Sequence, residues 1–188
     1  MSRVIVIGLD GGTLSVIRKV TEKYELPNLA KVLREGSSGI LESTMPYISC
    51  TNWISMATGM NPGKHGIYDF LKLTKGNSLK PICFNDCQVK AIWHTLSECG
   101  KKVVVVNIPV TYPASKVNGI FISGPFAPKI STYPKSWERK LLELGYKQEM
   151  LGFEAKSEKF SKESLLKRIL SIEKSRKYVF ISEITRGV

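Results

Sequence analysis

The chain has 188 residues, 43% of them apolar, with a formal net charge of +12 from 28 Lys and Arg against 16 Asp and Glu. That is enough for one compact domain with a genuine core, 1–188, and too little for two full domains. No apolar run approaches a membrane span, and the stretch after Arg3 is broken at Gly8 and Asp10 too early for a secretory signal.

A cytoplasmic protein with no membrane partner is therefore expected. The four cysteines, Cys50, Cys83, Cys87 and Cys99, are too scattered for a disulfide scaffold. Cys83 and Cys87 have no second Cys or His pair to complete a zinc site, and His94 is a lone candidate beside them. The basic residues are interleaved with acids, as in Lys135 to Lys140 and Glu173 to Lys177, which is the pattern of solvated helix faces. No nucleic-acid recognition motif accompanies them, so no specific nucleic-acid partner is expected, whereas a basic field suits an anionic small substrate.

Arg3 to Ile7 reads as a buried strand that delivers Asp10 to a turn built on Gly11 and Gly12, at the carboxyl edge of a sheet where α/β proteins bind ligands. Asp10 is equally suited to capping the next helix. Helix spacing follows over Leu14 to Tyr24 and Pro27 to Glu35, with Gly36 as terminator. Gly39 to Ser43 predicts a second strand, Thr44 to Ser49 a loop, and Thr51 to Met60 a helix stopped by Asn61-Pro62-Gly63. A helix is expected from about Asp86 to Cys99, then a buried strand over Lys102 to Asn107, which together make the βαβ pattern of a parallel sheet. Gly119 to Ser123 reads as a short edge strand, Pro125 to Pro134 as an irregular loop and Lys135 to Leu144 as a helix. From a Ser161 cap, Leu165, Ile169, Ile172, Val179, Phe180 and Ile184 keep a helical stripe to Gly187. A strand is expected next, so the chain reads as cut short.

Ser49 falls where a helix begins, so its hydroxyl and the free N–H groups of Cys50 to Asn52 share one small volume that attracts anions. Such a serine could attack phosphorus if a cation lowered its proton affinity, with Asp10 as a hard-oxygen ligand. It suits a plain N-cap as well. Trp53, Trp93 and Trp137 read as packing residues. Gly8 to Gly12 lacks the third glycine of a dinucleotide loop, and the second Asp of a haloacid dehalogenase motif is replaced by Gly8 or Gly12.

Gly8-Leu9-Asp10-Gly11-Gly12, Leu26 to Leu29, Ser43 to Pro46, Ser49, Trp53, Thr58-Gly59, Asn61 to Ile67 and Asp69-Phe70 occur together and in order. This set resembles the amino-terminal half of the type I phosphodiesterase and nucleotide pyrophosphatase family, in the alkaline phosphatase superfamily. Asn107 to Pro113 and Asn118 to Ile120 resemble later landmarks of a branch of predicted phosphohydrolases or phosphomutases. The resemblance implies a three-layer α/β/α sandwich with a mainly parallel sheet, the amino-terminal part of an alkaline-phosphatase-like fold. It implies two divalent metal ions, commonly zinc, and a phosphate-ester small molecule as substrate. By position Asp10 resembles a metal ligand, and Ser49 the nucleophile that also coordinates that metal and carries a covalent phosphoryl group. The Cys50 N–H resembles a contact to a phosphoryl oxygen, and His65 matches a structural position. Asp69-Phe70 stands where nucleotide pyrophosphatases often place a phosphate-contacting Asn, which argues against a nucleotide substrate.

The family's distal Asp and His ligand motifs have no counterpart here, so at most one partial metal site is expected. Two readings follow. In the first, the chain is the nucleophile-bearing half of a phosphoester hydrolase; in the second, it is a binding or assembly module that kept the fold and lost the reaction. An unpaired sheet edge would favour self-association or a partner supplying the missing half.

Overall fold

Val4–Leu9 forms strand β1, as the β-branched run from Val4 to Ile7 predicts, but it is not the buried strand expected: among the described residues it is the outermost strand of its sheet, and Val4, Ile5, Ile7 and Leu9 are exposed. The chain is described from a computed structural model over residues 3–75 and 78–146 and over the backbone of 178–183. After β1 the hydroxyl of Thr13, not Asp10, caps helix α1 (Leu14–Lys23), accepting the Val16 N–H at 3.4 Å. Helix α2 (Pro27–Glu35) starts on Pro27, whose missing N–H is no loss in a first turn, and stops at Gly36.

The strand expected over Gly39 to Ser43 is absent. Those residues are irregular, with Ile40 and Leu41 89% and 92% exposed, because no neighbouring strand among the described residues accepts their backbone groups. The next helix, α3 (Ser49–Thr58), begins two residues earlier than its sequence pattern and ends on Gly59 in the left-handed conformation at φ 67°. Asn61-Pro62 then opens a short helix, α4 (Pro62–His65), instead of a plain turn; Asn61 Oδ1 accepts the Lys64 N–H at 3.1 Å.

Strands β2 (Leu71–Leu73) and β3 (Leu79–Pro81) pair antiparallel as a separate hairpin. The helix expected from Asp86 is shorter: Phe84–Asp86 is a 3-10 turn and α5 spans only Ile92–Glu98. The reason lies in Asp86, whose carboxylate is taken by the Lys72 ammonium and by the Cys83 N–H at 2.9 Å, fixing it in the turn. Strands β4 (Val103–Val106) and β5 (Gly119–Ile122) follow as predicted. Inside the segment read as a loop, Thr132–Tyr133 makes strand β6, so β5 is not an edge. Helix α6 is Ser136–Glu143.

The terminal helical stripe needs correction. Tyr178–Glu183 is a strand, β7, and it contains Val179 and Phe180. Four consecutive apolar residues from Tyr178 to Ile181 suit a central strand, and their agreement with helical spacing is coincidental. Ser161, Leu165, Ile169, Ile172, Ile184 and Gly187 lie outside the described residues.

The main sheet runs β1-β7-β4-β5-β6, with β1, β7, β4 and β5 parallel and β6 antiparallel to β5. Strand β7 thus enters between the first strand and the fourth, with Gly8 opposite Ser182 and Leu9 opposite Glu183. The period of two along β4 and β5 sorts the core. Val103, Val105 and Phe121 pack with Trp53 and Ile54 of α3 and Trp93 of α5, while Val104, Val106, Ile120 and Ile122 pack with Trp137 and Leu141 of α6. Helices therefore cover both faces of β4 and β5 in an α/β/α arrangement, and each of these large side chains contributes about 1.5–3 kcal/mol by leaving water. All three tryptophans are buried, as packing residues should be. No helix among the described residues is long and apolar enough to cross a membrane.

Candidate active site

The site is built where the carboxyl end of β1 meets the amino end of α3. Asp10 follows β1 directly, and Gly11 at φ 69° turns the chain away so that the carboxylate stays at the sheet edge. Ser49 is the first residue of α3, and its Oγ donates to Asp10, 3.1 Å from Oδ2 and 3.3 Å from Oδ1. Two side chains 39 positions apart are thus in direct contact.

Neither residue is a helix cap. Thr13 caps α1, and the N-cap of α3 is Ile48, whose side chain makes no capping hydrogen bond. The first intrahelical bond of α3 runs from Asn52 N to Ile48 O, so the N–H groups of Ser49, Cys50 and Thr51 precede the ladder. An apolar N-cap leaves those donors to whatever anion or solvent lies at the tip.

Contact between β1 and α3 depends on Gly8. A Cβ built there would lie 2.5 Å from Trp53 Cζ3, and closer still to Cη2, so the indole rests directly on the strand. Trp53 is one helical turn beyond Ser49, and the same contact that buries the ring brings the hydroxyl to Asp10.

The thiol of Cys50 is fully buried, and burial raises its pKa, with the Asp69 charge adding to the effect. Only its backbone N–H faces the helix tip. Asp69 is exposed and accepts the following N–H, of Phe70, at 2.6 Å; the Phe70 ring meets Phe126 at 4.8 Å. His65 is fully buried: Nδ1 accepts the Ile67 N–H at 3.1 Å, Nε2 lies 2.9 Å from Ser55 Oγ, and desolvation lowers its pKa. Cys83, Cys87 and His94 do not gather into a ligand set. Cys87 Sγ donates to Val89 O, and His94 Nδ1 accepts the Ala91 N–H while its ring stacks on Phe84.

Sequence reasoning missed Thr44, Asn52 and Ser55. Thr44 Oγ1 donates to Asn52 Oδ1 at 2.7 Å and lies 3.3 Å from Ser55 Oγ, which faces His65. The available signal was the three-residue spacing of Ser49, Asn52 and Ser55, a polar ridge on an otherwise apolar helix.

The family model described as type I phosphodiesterase / nucleotide pyrophosphatase matches residues 4–180, from the first residue of β1 into β7. The chain belongs to that family. No curated protein matches the chain. Phosphoester hydrolysis on small molecules is the chemistry of the type I phosphodiesterase family, and its members generally depend on divalent metals. Asp10 and Ser49 place two hard oxygens within 3.3 Å of each other, a separation one cation can bridge. No group of three or more His, Cys, Asp or Glu among the described residues could hold a metal, so the pair fits part of a coordination shell.

Proposed function

We propose that this chain carries the nucleophile of a metal-dependent phosphoester hydrolase, with Ser49 as the attacking group. The observation that supports this most is the Ser49–Asp10 contact at an uncapped helix tip, because neither side chain has a capping role to explain its position. A phosphoryl group at the tip is oriented by the N–H groups of Ser49, Cys50 and Thr51. Ser49 Oγ then bonds to phosphorus as the bond to the departing oxygen breaks; the hydroxyl proton passes by way of Asp10 to solvent, and the departing alkoxide takes its proton from water. Water cleaves the resulting phosphoserine and regenerates the hydroxyl. Asp10 and Ser49 would together hold one divalent cation, the family resemblance favouring zinc. When bound, such an ion would stabilise negative charge on the attacking oxygen. The Cys50 N–H is the substrate contact in this scheme, and its buried thiol takes no part.

The test is the full chain incubated with bis-p-nitrophenyl phosphate and zinc or manganese, followed by nitrophenolate release and by intact mass. Turnover or a phosphoryl adduct on Ser49, both abolished in Ser49→Ala, is the expected result. Undiminished hydrolysis by Ser49→Ala overturns the assignment.

A further inference from the structure

The segment that leads into Ser49 is tied to the body at its two ends, by the Thr44 hydroxyl and by Ile48. Residues 44–48 have no regular structure, and Met45 and Tyr47 are 69% and 71% exposed, so the strap gains little from apolar packing there. Its polar anchor is the Thr44 hydroxyl on the α3 ridge of Asn52 and Ser55. Behind that ridge is His65, reached through Ser55. The Ile67 N–H points at Nδ1, so Nδ1 is the acceptor and the ring proton of the neutral imidazole sits on Nε2, directed at Ser55 Oγ.

We propose that His65 is a positioning residue: held as the Nε2–H tautomer, it acts through Ser55 and Thr44 to fix the strap that delivers Ser49 to Asp10. Its ring bonds to Ser55 and Ile67, and it acts on Ser49 through the hydroxyls of Ser55 and Thr44. Turning the ring over would leave the Ile67 N–H facing carbon, and moving the proton to Nδ1 would set two donors against each other there and remove the Nε2–H that faces Ser55, in a place water does not reach. The inference rests on reading Ser49 as the reacting group only for its catalytic consequence. The tautomer and the strap stand on geometry.

Cys50 supplies the reporter, because its thiol is buried immediately behind Ser49 and Ile48 of the strap packs on the same cluster. In the full chain, alkylation by iodoacetamide is followed peptide by peptide, with exposed Cys99 as reagent control and half-buried Cys87 as a monitor of general loosening. Thr44→Val, Ser55→Ala and His65→Asn are each expected to raise Cys50 labelling about tenfold while Cys87 is unchanged. His65→Gln keeps an N–H donor near the Nε2 position and is expected to stay within about twofold of the parent. With only two histidines in the chain, long-range nitrogen–proton spectra assign the tautomer directly, and a proton on Nε2 is expected. If the chain turns over phosphodiester, the three disruptive variants lower kcat by about 10- to 100-fold with KM little changed. A proton on Nδ1 overturns the proposal; so does unchanged Cys50 labelling in all three variants, or a rise at Cys50 and Cys87 together that His65→Gln shares. Failure of Ser49 to react leaves labelling and tautomer as predicted, so the two proposals fail separately.

Discussion

Gly8→Ala tests the link between core packing and site geometry. Gly8 is not in the left-handed region, so alanine is accepted by the backbone and the whole effect is one of space. The new methyl would lie 2.5 Å from Trp53 Cζ3, where unstrained carbon contacts fall at about 3.5–4.0 Å, so ring and strand must separate by about 1 Å or more. Overpacking of this kind costs about 1–3 kcal/mol. Against it stands about 0.4–1 kcal/mol from the reduced freedom of the unfolded chain, leaving a net loss of up to about 2.6 kcal/mol, in the upper half of that range because two ring carbons are overlapped at once. Because Trp53 and Ser49 share one rigid helix, the same displacement stretches the 3.1 Å Ser49–Asp10 hydrogen bond past its useful range. Urea unfolding followed by far-UV circular dichroism measures the first effect, and the second appears as reduced phosphoserine formation at Ser49. Trp53→Phe removes the part of the ring that meets the methyl, so the double variant should recover part of the loss, with a coupling of about 0.5–3 kcal/mol. Equal stability of Gly8→Ala and parent, or strictly additive single and double variants, would refute the packing argument.

Asp10→Asn keeps the shape of the side chain but removes its charge; phosphoryl transfer at Ser49 should fall by about 100-fold or more and metal addition should no longer restore activity after chelation, as read by nitrophenolate release. On the acid side, burial holds both His65 and His94 below the ordinary imidazole pKa. As pH falls below about 6.5 the unfolded chain takes up protons that the folded chain refuses, so stability declines with falling pH, by up to about 1.4 kcal/mol per pH unit for each imidazole. Urea midpoints between pH 7 and 5 measure the slope; His65→Gln should remove about half of it, and a flat profile would show that the imidazoles are not desolvated as described.

Strand β1 and helices α1 and α2 were readable from sequence because each is dictated locally: a β-branched run, an amphipathic stripe, a proline at the start, a glycine at the end. The boundary of α5 was not, since Asp86 suits both a helix start and a 3-10 turn, and the choice was made by Lys72 on a hairpin 14 residues away. Likewise the run at Tyr178 to Ile181 fits two periods at once, and the vacancy between β1 and β4 settled it as a strand. Residue types and order along the chain identified Asp10 and Ser49 as candidates and left each with a capping alternative. Their meeting belongs to the tertiary structure, where Trp53 lies on the bare backbone of Gly8 and draws the first turn of α3 onto the end of β1. A chain can specify through local chemistry which groups are reactive, but the distance between groups 39 positions apart is set by what packs between them.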